Sequence, residues 1–319
     1  MKNEGPIVVA LGGNAISRED EEGNIPQQFR RTRQTVVWLA NLIEAGRQIV
    51  ITHGNGPQVG NVLRRVELAA HELYTLSLDI CGADTQGGMG YMIAQCLNNE
   101  LRRRGVARTV GVILTMVEVA PDDPAFKNPT KPIGGFYERQ KGEQLRERYA
   151  WQMAEVSGGR LRRVVPSPLP QSIVEIELIR RLTQAGELLV VAGGGGIPVS
   201  RDDEGDLVGV EAVIDKDRTS ALLAGAIDAG TFLIATNVER VALDFGQPTQ
   251  RFLDRLTVAE ARRHLAEGQF PSGSMGPKVE AAIAFLEQSR RSDARVIICA
   301  LQHVADALAG RAGTQLKRD

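Results

Sequence analysis

Three short stretches of the chain are apolar without alternation and end in glycine. Ile7-Val8-Val9-Ala10-Leu11 runs into Gly12-Gly13-Asn14, and Gln48-Ile49-Val50-Ile51-Thr52 runs into His53-Gly54-Asn55-Gly56-Pro57. Leu188-Leu189-Val190-Val191-Ala192 runs into Gly193-Gly194-Gly195-Gly196-Ile197-Pro198. Runs of this kind suit strands buried on both faces, as in a parallel sheet. Glycines at their ends leave bare N–H groups that an anion can approach closely. The C-terminal ends of parallel strands share one edge, where ligands usually bind. Three glycine-lined ends therefore predict one phosphate-sized site assembled from distant parts of the chain, although any one of these stretches alone reads as a flexible turn.

Helical spacing fills the intervals. Val36, Val37, Leu39, Ala40, Leu42 and Ile43 predict a helix over Gln27–Ala45, closed by Gly46. Pro57 suits a first helical position, and Val59, Val62, Leu63 and Val66 continue that helix. A third helix is predicted over Thr85–Arg104, then a strand over Val110–Val117. Later helices are predicted over Ile173–Ala185, over Thr219–Ala229 with its start at Asp217, and over Thr257–Glu267 and Pro277–Gln288. Strands are predicted over Thr231–Thr236 and Arg295–Leu301, with a polar hairpin turn at 200–210. Alternating strands and helices predict an α/β protein with a wound parallel sheet. Residues 118 to about 163 break the rhythm with Pro121, Pro124, Pro129 and Pro132, then Gly134-Gly135. A segment that long reads as an inserted flap or subdomain, with a linker as the plainer alternative. The halves before and after about residue 205 read as two lobes on one sheet.

Composition narrows the function. The 319 residues are 43% hydrophobic with a net charge of −1, which argues against a nucleic-acid or membrane-surface protein. No apolar run reaches the length of a membrane span, and the first residues lack a signal peptide's apolar region. Cys81, Cys96 and Cys299 are too scattered for a disulfide framework or a zinc site. A soluble cytoplasmic protein is the simplest reading. Only seven of the 38 basic residues are Lys, and Lys127, Lys131, Lys216 and Lys278 fall in segments punctuated by Gly or Pro. Lysine offers a compact point charge where arginine offers a rigid fork.

The chain has no P-loop, no Gly-x-Gly-x-x-Gly after the first strand and no His pair at metal-ligand spacing. His53 borders a glycine site, but a hydrogen-bonded structural role suits it better. What remains is glycines plus lysines, the equipment of phosphoryl transfer, which needs positioning and cations more than covalent help. Asp215 and Asp217 flank Lys216 and are placed to orient it. Asp217 fits a helix N-cap equally well. Lys278 follows Ser272-Gly273-Ser274-Met275-Gly276-Pro277 in a helix's first turn, where the dipole disfavours a cation and an anion partner is needed. No general base stands out in these loops. A hydroxyl acceptor usually wants one, whereas a carboxylate or carbamate oxygen is already ionised. An acyl-phosphate-forming kinase fits better than a sugar or alcohol kinase.

At this level of detail the chain resembles the carbamate kinases of the amino-acid-kinase superfamily, over nearly its whole length. The resemblance is carried by Val9-Ala10-Leu11-Gly12-Gly13-Asn14-Ala15-Ile16, by His53-Gly54-Asn55-Gly56-Pro57-Gln58-Val59-Gly60 and by Phe126-Lys127-Asn128-Pro129-Thr130-Lys131-Pro132-Ile133-Gly134. Arg163-Val164-Val165-Pro166-Ser167-Pro168, Gly193–Pro198, Gly209–Asp217 and Gly273–Glu280 complete it. The glycine motifs point only to the superfamily, while Pro129-Thr130-Lys131-Pro132 and Val213-Ile214-Asp215-Lys216-Asp217 are much more specific.

The resemblance implies a three-layer α/β/α sandwich around a mainly parallel sheet of about eight strands, and a homodimer. It implies reversible transfer between MgATP and carbamate, giving ADP and carbamoyl phosphate, with no protein-bound metal and with a place in the breakdown of arginine or other ureido compounds. Residues 1–205 would take carbamate and 206–319 the nucleotide. Carried over by position, Gly12, Gly13, Asn14, Gly54, Asn55, Gly194 and Gly195 would line the carbamate and phosphoryl site. Lys131 on the flap would reach the transferred group. Lys216 and Lys278 would offset charge on the phosphates, and Asp217 would hold the lysines. Asn237, Val238, Met275 and Pro277 would add to the nucleotide pocket. Four positions depart from the family's pattern. Leu161 stands for a usual Trp in the flap, and Asp84 for a common Met. Beyond Thr236, Glu239 and Ala242 replace an Asp and an aromatic residue, which leaves the adenine without its usual aromatic neighbour. Two other readings stay open: a superfamily relative acting on another carboxylate or phosphate, such as an acetylglutamate-type kinase, which generally lacks the long flap; and a nucleotide-binding paralogue without turnover, against which the three lysines speak.

Overall fold

In the computed structural model, residues 5–13, 16, 21–271 and 273–318 are described. An eight-stranded sheet forms the centre. Its order is Arg255–Thr257, Thr314–Lys317, Arg295–Ala300, Thr231–Thr236, Ile7–Leu11, Ile49–His53, Leu188–Val190 and Val110–Val112. The last six run parallel; Thr314–Lys317 pairs antiparallel with Arg295–Ala300, and Arg255–Thr257 follows its direction.

Why the strands are apolar throughout is visible in which core each side chain enters. Val8, Ala10, Val50 and Leu189 point into one core with Ile179, Leu223, Val279, Ala282 and Ala261 from four helices. Ile7, Val9, Leu11, Ile49, Ile51, Leu188 and Val190 point into another, with Val36, Leu39, Ile43, Met92, Ile93 and Leu97. Alternate residues of one strand thus serve opposite helical layers. Each of these Val, Leu, Ile and Met side chains contributes about 1.5–3 kcal/mol by leaving water. The result is the wound parallel sheet that the sequence pattern predicts, in the three-layer sandwich that the resemblance implies.

The helix after the first strand spans Ile25–Glu44, with Asn24 and Gln27 forming a reciprocal capping box. Gly56–Ala69 follows the second strand with Pro57 in its first turn. Four predicted elements differ in extent. The third helix begins at Leu78, not Thr85, after Ser77 in extended conformation. The stretch Val110–Val117 divides into Val110–Val112 in the central sheet and Met116–Val119 in a separate four-stranded sheet. The break is held by buried Gln86, whose Oε1 accepts from Thr115 N at 2.5 Å. Ile173 ends a short strand, Pro170–Ile173, and the helix after it is Ile176–Gln184. The helix assigned to Thr219–Ala229 is Lys216–Ala226, and it ends where Asp228 takes a left-handed conformation. The hairpin at 200–210 is present, with Ile197–Arg201 pairing antiparallel to Leu207–Gly209.

The flap is a folded unit. Lys131–Tyr137, Leu161–Val165 and Met153–Glu155 form a three-stranded antiparallel sheet, and the helix Arg139–Tyr149 packs against it. Leu161, in place of a Trp, is buried against Gly142, where an added Cβ would come within 2.7 Å of its Cδ1. Among the described residues no helix is long and apolar enough to cross a membrane.

Candidate active site

The carboxyl ends of the parallel strands open into a cavity of about 620 Å³ between the sheet and the flap. Gly12, Gly13, Gly54, Asn55 and Gly194 line one part, Lys131 enters from the flap, and Lys216, Asp217 and Lys278 form the floor. Asn237, Val238, Met275 and Pro277 line the remainder. Asn14 and Ser272 lie outside the described residues. Gly195 is drawn into the layer behind the wall and does not line the cavity. An added Cβ there would sit 2.3 Å from Ile214 O, and its carbonyl accepts from Thr219 Oγ1 at 2.8 Å.

The glycines admit neighbours that any side chain would exclude. Gly194 has φ +68°, and an added Cβ would lie 2.3 Å from Asn55 Nδ2. Asn55 is held by Thr85, whose Oγ1 accepts from Nδ2 at 2.9 Å. Gln86 Nε2 donates to Gly193 O at 3.0 Å. A Cβ on Gly54 would come 3.2 Å from Lys216 Cδ, so the bare backbone there leaves a path for the lysine stem.

Two carboxylates gather three lysines. Lys278 Nζ donates to Asp217 Oδ2 at 2.9 Å, and Lys216 donates to Asp217 Oδ1. Lys131 Nζ reaches Asp215 Oδ2 at 2.5 Å from the flap. Burial works against ionisation of Asp217, yet Lys216 and Lys278 hold its carboxyl far below the usual range. Burial likewise opposes the charge on Asp215, and Lys131 outweighs it. For Lys216, burial wins and the ammonium is pushed down despite Asp217. For Lys278, burial is more than offset by Asp217, and the ammonium is held above its ordinary range. Asp217 is not the N-cap. Asp215 fills that place, its Oδ1 accepting from Asp217 N at 2.8 Å, which frees the Asp217 side chain for the lysines.

His53 ends the second strand, fully buried. Its Nδ1 lies 3.1 Å from Gly54 O, and its Nε2 has no partner among the described residues. Burial lowers its pKa to about 4, so the ring is neutral at pH 7.

Several lining residues escape sequence reasoning. Glu21, Glu22, Asn61, Phe136 and Arg162 rim the flap side. Glu21 is paired with Arg31 at 2.6 Å, and Glu22 accepts from Asn24 Nδ2 at 2.8 Å. At the far end, Phe245 and Phe270 line the wall beside Ala242. Aromatic surface is thus present there, carried by a turn in which Asp244 is left-handed and by the segment before Pro271. Glu239 faces solvent toward His303, and Asp84 is exposed outside the cavity.

The family model described as "Amino acid kinase family" matches residues 5–299. A carbamate kinase of Thermococcus kodakarensis is 43% identical over 317 residues, covering 98% of this chain and 99% of that protein. The structure of a Giardia lamblia carbamate kinase bound to citric acid superposes with a TM-score of 0.94 at 35% identity, covering all of both chains. The same Giardia enzyme bound to AMP-PNP gives 0.89, again over all of both chains. The chain therefore belongs to the amino acid kinase family, on its carbamate kinase branch.

Proposed function

We propose that this cavity catalyses reversible phosphoryl transfer between ATP and carbamate, giving ADP and carbamoyl phosphate. The observation that carries the reading is the convergence of Lys131, Lys216 and Lys278 on Asp215 and Asp217 at a glycine-lined strand edge. A carbamate oxygen attacks the γ-phosphorus as the bond to the ADP oxygen breaks, and no proton has to move. That suits a site whose central carboxylates are poor proton acceptors: Asp217 has both oxygens in ion pairs and a strongly depressed pKa. The lysines offset charge as it spreads over the moving phosphoryl group, and bare backbone lets it approach. Carbamate sits beside Gly12, Gly13, Gly54, Asn55 and Gly194, in the lobe of residues 1–205. The nucleotide lies along Asn237, Val238, Met275 and Pro277, in the lobe of residues 206–319. That the Giardia relative binds AMP-PNP supports nucleotide binding by this chain.

Magnesium enters with the nucleotide. Both central aspartates already pair lysines. The ion would be bound through the nucleotide's phosphate oxygens and would supply further positive charge at the transferring group.

The same reading includes a homodimer. Ile80 and Tyr91 project from the Leu78–Arg103 helix at 44% and 58% exposure, and Val112 in the sheet's edge strand and Leu114 just after it are exposed as well. An apolar edge of this kind suits a second copy of the chain. A cytoplasmic setting supplies the nucleotides and keeps the three buried free thiols reduced.

The test is ATP formation from ADP and carbamoyl phosphate, with and without Mg²⁺. Mg²⁺-dependent ATP production supports the reading. Folded protein that binds MgADP and makes no ATP sinks it. Sedimentation of the wild type and of Tyr91→Glu checks the dimer.

A further inference from the structure

The flap strand Lys131–Tyr137 crosses the Gly56–Ala69 helix backbone against backbone. A Cβ at Gly60 would lie 2.0 Å from Gly134 N, 2.1 Å from Gly134 Cα and 3.0 Å from the Ile133 carbonyl carbon. All three are main-chain atoms, so no rotamer change relieves the contact. Gly134 itself has φ +68°, a conformation that side chains rarely adopt. Arg162 clamps the same residue from the flap's middle strand, Nε and Nη2 donating to Gly134 O at 3.1 and 3.0 Å. Three residues before Gly134 on that strand is Lys131, with its ammonium on Asp215.

The helix also holds the flap farther along. Glu67 Oε1 accepts from Trp151 Nε1 at 2.8 Å and from Arg163 Nη1 at 2.5 Å. The Arg64 guanidinium lies 4.7 Å from the Tyr149 ring centroid. Glu67 and Arg64 are long side chains that tolerate adjustment. Gly60 is where the two backbones meet directly, so it fixes how deep the flap sits. Glycine inside a helix is locally unfavourable relative to alanine, which the helix's own stability does not explain.

We infer that Gly60 is a positioning residue for Lys131. Its missing side chain sets the depth at which the flap seats, and that depth decides whether the Lys131 ammonium reaches the transferring phosphoryl group. The catalytic part of this inference rests on the function proposed above; the seating part does not.

The test compares Gly60→Ala, Lys131→Ala and the double variant in the ATP-forming assay, with hydrogen exchange of the flap as a separate readout. In Gly60→Ala, kcat falls at least tenfold while KM for ADP stays within about threefold. The double variant is no slower than Lys131→Ala, because a misplaced lysine and an absent one are equivalent. Amides of residues 133–137 exchange at least tenfold faster than in the wild type. Turnover within threefold of wild type, a matching rise in KM, or losses that multiply in the double variant would each overturn the inference. Unchanged flap exchange would overturn it too. If the wild type makes no ATP, the proposed function fails, and flap exchange alone decides the seating. If Gly60→Ala does not fold, Gly134→Ala disturbs the same crossing from the flap side, through the left-handed backbone at φ +68° and not through a clash with Gly60. It should slow turnover at least fivefold at unchanged KM for ADP, and normal turnover there counts against the inference.

Discussion

Lys278 donates to Asp217 across 61 positions of sequence, at 2.9 Å and nearly out of water. A cation in a helix's first turn opposes the helix dipole. Here a buried carboxylate answers it, and the same carboxylate answers Lys216 through its other oxygen. Asp217 therefore sets where two positive charges stand before any phosphate arrives.

Replacing Asp217 by Asn should abolish most turnover and also destabilise the fold. Removing one partner of a buried ion pair typically costs about 3–5 kcal/mol, because the remaining charge is left uncompensated. The Asp217 side chain is only 3% exposed, so solvent gives little relief. Urea unfolding and ATP formation on the same preparation check this; loss of activity at full stability would contradict it. The pH dependence has a defined sign. Asp217's carboxyl is depressed in the folded state, so its stabilisation is complete above the ordinary Asp range near pH 4 and is lost as pH falls below that.

Lys131→Ala should lower kcat about 10²–10³-fold, the scale of removing one well-placed charge or donor at a transition state. The flap lysine contacts Asp215 and none of the residues assigned to the nucleotide. ADP affinity should therefore change little. Calorimetric titration with MgADP beside steady-state kinetics separates the two, and comparable losses in both would remove the assigned role.

Asp215 carries two duties that substitutions can separate. It caps the Lys216–Ala226 helix and receives Lys131. Asn caps about as well as Asp, whereas Ala loses about 1 kcal/mol. Asp215→Asn should keep the cap and lose the ion pair; Asp215→Ala should lose both. Denaturation midpoints should rank wild type, then Asn, then Ala, with both variants slowed in turnover.

His53 predicts an acid-sensitive step. Its folded pKa of about 4 lies below the unfolded value of 6.5. Between those values the unfolded state binds the extra proton, so stability falls as pH drops from 6.5 toward 4 and levels off below. The full effect is about 3 kcal/mol at 1.36 kcal/mol per pKa unit. His53→Gln should flatten that part of the stability profile, as measured by urea unfolding at several pH values.

Much of this architecture is legible in the sequence because burial on both faces leaves a strong mark. Ile7–Leu11 and Ile49–His53 read directly as central strands, and their glycine ends mark the edge where the cavity opens. The lysines stand out because the chain otherwise uses arginine. What the sequence hides depends on partners far along the chain. Nothing near Val110 signals that Gln86 will split the stretch, or that Asp215 will take the cap that Asp217 fits equally well. Phe245 and Phe270 reach the cavity only through a turn and a distant loop, so a position-by-position reading beyond Thr236 misses them. Gly195 is indistinguishable in sequence from Gly194, yet it serves the helix behind the wall.

The parallel topology also has a temporal consequence. Gly12, Lys131, Gly194, Lys216 and Lys278 come from points spread along most of the chain, and the helix bearing Lys278 packs its Val279 and Phe285 into the core shared with Val296, Ile298 and Leu316. During synthesis, a ribosome must release nearly everything up to Leu316 before that last lysine has a stable bed. Activity should therefore appear late, and its recovery during refolding should report completion of the last strands of the sheet.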